Sequence, residues 1–208
     1  MFLPLAKLLN MSNIKLMQSF GQIILASESP RRQALLRQIG LDFSVKISGI
    51  DEDISIDLPP NQLAEHLARE KAHAVAVDYS NQLVIGADTI VVFDGKILGK
   101  PKDNEHSYHM LSTLSGNTHQ VITGVAIQLR DKNLDETFHV VTNVTFNTLS
   151  DNDIYYYIDT YKPFDKAGSY GIQDWFAVFV KHIDGCFYNV MGLPLANLWE
   201  HINNVEIN

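Results

Sequence analysis

Arg31 and Arg32 follow a serine-rich turn, Ser27-Glu28-Ser29-Pro30, that breaks the apolar run Ile23-Ile24-Leu25-Ala26. Ser29 stands where an N-cap should stand and Pro30 fits the first helical position, so both arginines fall in the first turn of a helix. Cations there oppose the helix dipole. A ligand would explain them, because free backbone N–H groups and two guanidinium forks can converge on phosphate oxygens. The plain alternative is a solvated arginine pair on a surface helix. The rest of the chain favours the ligand. Gly86-Ala87-Asp88-Thr89 ends an apolar run begun at Leu83, and Gly99-Lys100-Pro101-Lys102 follows a turn at Asp94-Gly95. An acid at a strand end, a nearby lysine and an arginine pair are parts that could serve a metal-bound polyphosphate.

Glu52, in the acidic loop Asp51-Glu52-Asp53, and Asp88 are the best acidic candidates. Either alone reads as a solvent-exposed acid; together, from separate elements, they are what a hard cation such as Mg²⁺ requires. The complementary cations are Arg31, Arg32, Lys71, Lys100 and Lys166. Arginine holds two phosphate oxygens in a fixed fork, whereas lysine supplies a mobile point charge. Lys71 interrupts the stripe Leu63, Leu67, Val75 on a helix, which is consistent with snorkelling to solvent or with a cationic head turned into a cleft. The run Asp165-Lys166-Ala167-Gly168-Ser169-Tyr170-Gly171-Ile172-Gln173-Asp174 supplies small residues for close backbone approach. Gln173 in it could read a base edge or make an ordinary loop hydrogen bond.

Other chemistries lack their residues. The eight histidines contain no HExxH pair, and His106, His109, His119 and His139 have no metal-specifying spacing. There is no Walker loop and no G-x-S-x-G elbow. Asn143-Val144-Thr145 matches a glycosylation sequon but falls inside a strand pattern. Cys186, the one cysteine, excludes an intrachain disulfide and reads as a small side chain packed beside Gly185.

The elements that must position these groups follow from periodicity. Strands are expected at Ile23–Ala26, Phe43–Ile47, Leu83–Ala87, Ile90–Phe93, Val121–Leu129, Phe138–Phe146, Ala177–Val180 and Phe187–Val190. Helices are expected at Pro30–Ile39, about Asn61–Val77, from Asp103 or Asn104 through Leu114, through Ile154–Ile158 behind a Ser150/Asp153 capping box, and from Pro194 through Ile202. The uneven mixture predicts an α/β or mixed α+β fold with a large mixed sheet, and the chain is free of repeats and of any composition break that would mark a second domain.

With 208 residues, 46% of them hydrophobic, the chain can bury one substantial core, arranged as two lobes around a cleft. A formal charge of −8 argues against a general nucleic-acid binder, and no stretch has the apolar length of a membrane span. Residues 1–20 read as an N-terminal extension or a start-site ambiguity, since Met11 and Met17 are also plausible beginnings, with residues 21–208 as the single catalytic domain.

The ordered motifs resemble the Maf family of nucleoside triphosphate pyrophosphatases, once described as septum-formation inhibitors. Ser27-Glu28-Ser29-Pro30-Arg31-Arg32 is similar to its opening signature, Asp51-Glu52 to its acidic pair, and Lys71 to the lysine of its second helix. Gly86-Ala87-Asp88-Thr89, Leu98-Gly99-Lys100-Pro101, Leu114-Ser115-Gly116 with His119, Thr123-Gly124-Val125, Asp165 to Gln173 and Gly192-Leu193-Pro194-Leu195 continue the likeness, which covers Ile23 to Trp199. The resemblance implies a mixed, twisted sheet flanked by helices, like that of the inosine triphosphate pyrophosphatases, with substrate held between two lobes. It implies cleavage between the α and β phosphates with Mg²⁺ or Mn²⁺, a cytoplasmic location and a homodimer. It makes Asp88 the base or water-positioning carboxylate, Glu52 a metal or water partner with Asp88, and Lys71 part of the catalytic set. Ser27, Ser29, Arg32 and Lys166 become substrate contacts. Arg31, Thr89, Lys100 and Gln173 resemble the set of the branch acting on dTTP and UTP, with Arg31, Thr89 and Gln173 as specificity residues; modified pyrimidine nucleotides would pass the same test. Two departures stand out: Tyr161-Lys162-Pro163 replaces a Gly-Glu-Pro run, and Asp174-Trp175 replaces a glycine-led continuation, so that Trp175 either narrows the cleft or packs outside it. The rival reading is a nucleotide-binding regulator of cell division with little turnover.

Overall fold

A computed structural model describes residues 22–50 and 52–204; the expected N-terminal extension and Asp51 of the acidic pair lie outside them. A mixed seven-stranded sheet forms the centre, with strands β1 (Ile23–Leu25), β2 (Phe43–Val45), β3 (Leu83–Phe93), β4 (Lys96–Leu98), β5 (Thr118–Leu129), β6 (Leu134–Phe146) and β7 (Val180–Asp184). Their order is β2-β1-β3-β5-β6-β7, with β4 paired to β3. The first three strands are mutually parallel and the rest antiparallel, as the α/β reading with a mixed sheet predicted. Among the described residues six α-helices flank it: α1 (Pro30–Gln38), α2 (Pro60–Ala76), α3 (Asn104–Leu114), α4 (Asp151–Tyr161), α5 (Phe187–Val190) and α6 (Leu195–Asn204).

Two long strands explain the two lobes. Ile85, Ala87, Val125 and Ile127 pack in one core with Leu35 and Leu36 of α1 and Leu198 and Ile202 of α6. Farther along the same strands, Val91 and Val121 belong to a second core with Leu111 of α3, Tyr157 of α4 and the aromatic residues Tyr170 and Phe176. Side chains alternate between faces along a strand, so Thr89 and Thr123 point to the same face as these apolar residues and sit between the two cores. They are register partners across β3 and β5.

A gap in the sheet lies at the same level. β1 pairs with Leu83–Ile85 and β4 with Val91–Phe93, so neither covers the β3 edge between them, where Asp88 and Thr89 lie. The chain leaving β1 turns away there into α1, the kind of crevice beyond a strand end where α/β sheets bind ligands.

Helix α2 crosses the opposite face at very close range. A Cβ on Gly86 would lie 2.3 Å from the Ala68 carbonyl oxygen, and one on Gly124 would lie 2.2 Å from that of Ala64. Only hydrogen fits at both places, and the close approach carries Lys71 down to the sheet at Asp88.

Several elements differ from expectation. Asp88 and Thr89 do not separate two strands and do not end one: β3 runs through them, since its pairing with Gly124 and Thr123 continues unbroken while the polar side chains point into the cleft. Residues 175–179 form a 3₁₀ turn rather than a strand, because Asp174 caps it by accepting from the Phe176 N–H at 3.0 Å; the strand begins at Val180. Phe187–Val190 is a short helix, with Asn189 drawn inward to the Val121 carbonyl at 3.0 Å. β4 was not foreseen, and β6 begins at Leu134, where hairpin pairing extends past the apolar pattern.

Candidate active site

The gap beside β3 opens into a cleft of about 610 Å³ whose lining includes Ser27, Ser29, Arg31, Arg32, Glu52, Lys71, Asp88, Thr89, Lys100, Lys166 and Gln173. All the candidate residues, from six separate parts of the sequence, thus meet at one place. Its five basic side chains outnumber its four acidic ones, Glu28, Glu52, Asp88 and Asp165, in a chain whose formal charge is −8.

At its floor, Lys71 Nζ donates to Asp88 Oδ1 at 2.5 Å and to Glu52 Oε1 at 2.8 Å. Lys71 and Asp88 are buried, which settles the stripe anomaly against snorkelling: the ammonium turns inward because two carboxylates receive it. Glu52 also accepts from Lys100 through Oε2 at 3.1 Å. Burial pushes the Glu52 carboxyl up, but hydrogen bonds and charge from Lys71 and then Lys100 outweigh it and hold the group at about 2. Asp88 Oδ2 has no hydrogen-bond partner among the described residues, and it belongs to a cleft-lining side chain.

Arg32 is fixed by neutral oxygens. Nε donates to the Gly192 carbonyl at 2.8 Å, Nη1 to Ser27 Oγ at 3.1 Å and Nη2 to Thr89 Oγ1 at 3.1 Å. Three of the five guanidinium N–H groups are used, leaving two for a ligand. Burial lowers the Arg32 pKa and the nearby Asp88 charge partly restores it; the group stays a cation without a direct carboxylate partner. Ser29 caps α1 as expected, accepting from the Arg32 N–H at 3.4 Å, with Pro30 in the first turn.

Arg31 takes a different part, donating to Asp165 Oδ2 at 2.8 Å on the cleft wall, while Lys166 donates to Asp165 Oδ1 at 2.7 Å. Burial raises the Asp165 carboxyl, yet the two cations bring it below its usual range. Gly168, at φ +66°, turns the chain two residues after Lys166, against the Val91 side chain 3.0 Å from where its Cβ would lie. That turn carries the wall on to Gln173.

A divalent cation fits this donor set in one way. No group of three or more His, Cys, Asp or Glu side chains that could cage a metal occurs among the described residues. Mg²⁺ commonly takes one or two carboxylates and completes its shell with waters and substrate phosphates, so Asp88 and Glu52 suffice for a cation arriving with a polyphosphate.

Some residues stand apart from the cleft. Trp175 packs outside it against Tyr156, Tyr157, Tyr161 and Phe179, and exposed Lys162 pairs with Asp159 at 3.7 Å. Neither lines the site. His119 is buried against Phe146 and Tyr170, its Nε2 2.8 Å from the Tyr170 hydroxyl. Sequence reasoning missed the roles of Asp165 as partner of Arg31 and of the Gly192 carbonyl as anchor of Arg32; both lie in motifs it noted, but a backbone acceptor carries no side-chain signal.

Fold and cleft together define an α/β protein that gathers cations and paired carboxylates in one cleft. The chain belongs to the Maf family: the family model described as Maf-like protein matches residues 22–205. Among its relatives, the dTTP/UTP pyrophosphatase of Bacillus pumilus is 50% identical over 85% of this chain and 92% of its own length. That of Bacillus velezensis is 47% identical over 89% and 97%, and that of Desulforamulus reducens 47% identical over 85% and 92%.

Proposed function

We propose that this protein hydrolyses dTTP and UTP to the nucleoside monophosphate and pyrophosphate. The observation that carries the reading is the Asp88–Lys71–Glu52 cluster facing Arg32 across one cleft, in a chain whose relatives of about half-identical sequence bear the name dTTP/UTP pyrophosphatase. Water attacks the α-phosphorus, a new O–P bond forms, the bridging bond to the β-phosphate breaks, and pyrophosphate leaves. Asp88 orients the water and takes its proton through the unbonded Oδ2. Lys71 keeps Asp88 and Glu52 in place, while Arg32, Lys100 and Lys166 offset charge on the phosphate oxygens. A Mg²⁺ or Mn²⁺ ion held by Asp88 and Glu52 supplies further charge neutralisation when bound. Arg31, Thr89 and Gln173 read the nucleoside, Gln173 through its amide and carbonyl. Cytoplasmic location and a homodimer belong to the same reading, supported by the family resemblance; no helix among the described residues is long and apolar enough to cross a membrane.

The test is pyrophosphate release from dTTP, UTP, CTP, ATP and GTP with Mg²⁺, Mn²⁺ or chelator. Metal-dependent release led by dTTP and UTP is expected. No release from a folded sample that still binds nucleotide would replace the enzyme with a binding regulator.

A further inference from the structure

The hydrogen-bond network behind the cleft fixes which way the hydroxyls of Thr89 and Ser27 point. Thr123, fully buried, donates its only hydroxyl proton to the Asn189 carbonyl at 2.9 Å. That carbonyl also accepts from the Gly192 N–H at 2.9 Å, which fills both of its lone pairs. Thr123 and Thr89 lie 2.9 Å apart, oxygen to oxygen, and Thr123 has no second proton to give. Thr89 is therefore the donor of that pair. With its proton spent inward and one lone pair taken by Arg32 Nη2 at 3.1 Å, Thr89 has a single acceptor site left.

Ser27 has the opposite polarity. Its oxygen accepts from Arg32 Nη1 at 3.1 Å and from the Ser29 N–H at 3.3 Å, so its lone pairs are filled and its proton remains to donate. An anionic phosphate oxygen can accept from Ser27. It cannot pair with Thr89, whose remaining lone pair would repel it.

Building on the proposed nucleotide substrate, we infer that Thr123 and Asn189 act as remote specificity determinants, holding Thr89 as a pure acceptor for a hydrogen-bond donor of the nucleoside. Arg32, bonded to both hydroxyls, marks the division: phosphate on the Ser27 side, nucleoside on the Thr89 side. Asn189 is itself locked, being fully buried with its side-chain amide donating to the Val121 carbonyl at 3.0 Å and to Thr142 Oγ1 at 2.9 Å. The nucleoside donors available are the ring N–H of uracil or thymine and the sugar hydroxyl. A fixed acceptor rejects an analogue that lacks its donor, because half-buried Thr89, once covered by the ligand, is left unpaired.

The experiment compares kcat/KM for pyrophosphate release by the natural protein, Thr123→Val and Thr123→Ser on two nucleotide pairs. UTP against CTP removes the ring N–H, and dTTP against its 2′,3′-dideoxy analogue removes the sugar hydroxyl. The natural protein should penalise one of the two losses. Thr123→Val frees the Thr89 proton to turn toward the cleft, so that penalty should shrink about tenfold, while Thr123→Ser retains it. The pair that responds names the donor. Penalties in Thr123→Val within about twofold of the natural protein's for both pairs, whatever the fall in absolute rate, overturn the inference, since a merely structural Thr123 would slow all substrates alike. Should Thr123→Val not fold, Thr89→Val removes the same acceptor from the cleft side and must shrink the same penalty; an unchanged penalty there also overturns it. An inactive natural protein would instead overturn the proposed enzyme.

Discussion

Lys71 donates to Asp88 on the face of the sheet that α2 covers, at 2.5 Å and out of solvent, so the helix that packs the sheet also carries the cation of the candidate active site. A buried ion pair is costly to break by halves, because the surviving charge is left without compensation. Lys71→Met should therefore destabilise the fold by about 3 kcal/mol. Asp88→Asn is nearly isosteric and leaves the Lys71 ammonium its Glu52 partner, so it should keep the fold while kcat falls by about 10³-fold. Thermal melting alongside steady-state kinetics separates the two outcomes, and near-natural turnover in Asp88→Asn would refute its role.

The glycine contacts under α2 predict a purely steric effect. A methyl group at Gly124 would meet the Ala64 carbonyl at 2.2 Å, and backbone atoms cannot swing aside as a long side chain can. Gly124→Ala should lower stability by about 2–3 kcal/mol by lifting the helix. Because the lifted helix carries Lys71, turnover should fall at temperatures where the protein is still folded. Denaturant unfolding and activity at low temperature check both effects.

Gln173 lines the cleft on the wall beyond Lys166, far in sequence from the carboxylate floor. Gln173→Ala should raise KM for dTTP and UTP about tenfold with a smaller change in kcat. An unchanged ranking of CTP, UTP and dTTP would reject base reading at this position.

Among the shifted groups, His119 and Glu52 move farthest on the acid side and shape the acid limb of stability. Burial holds His119 at about 4, below the ordinary 6.5, so the unfolded chain takes up the proton first. Its contribution is complete above about pH 6.5 and is lost as pH falls toward 4. Glu52, held at about 2, contributes above about pH 4.5 and loses that contribution as pH falls toward 2. The melting temperature should thus decline in two stages on acidification. His119→Phe should remove the first stage, and a His119→Phe protein with an unaltered pH profile would contradict this account.

Local rules made much of the protein legible in its sequence. The Ser29 cap, the Pro30 start, the α2 stripe and the Ser150/Asp153 capping box were readable because each is satisfied within a few residues. The same rules failed where distant contacts decide. Thr89 and Asp88 looked like a strand break, yet their backbone is held by β5 and their side chains by α1 and α2. Residues 187–190 had the composition of a strand but became a short helix in which Asn189 bonds across to β5 and β6.

The sequence by itself determined which residue types were available, two arginines behind a helix cap, acids beside apolar runs and a lysine in an apolar stripe, because motif order and hydrophobic period are properties of the linear chain. Only the tertiary structure decided what they do together. It turned Lys71 inward, gave Arg31 to Asp165, reserved Arg32 for the cleft and pointed the Thr89 proton into the core. Those choices rest on sub-3.5 Å geometry between elements tens of residues apart, where one hydrogen-bond partner excludes another, and no local pattern encodes that competition.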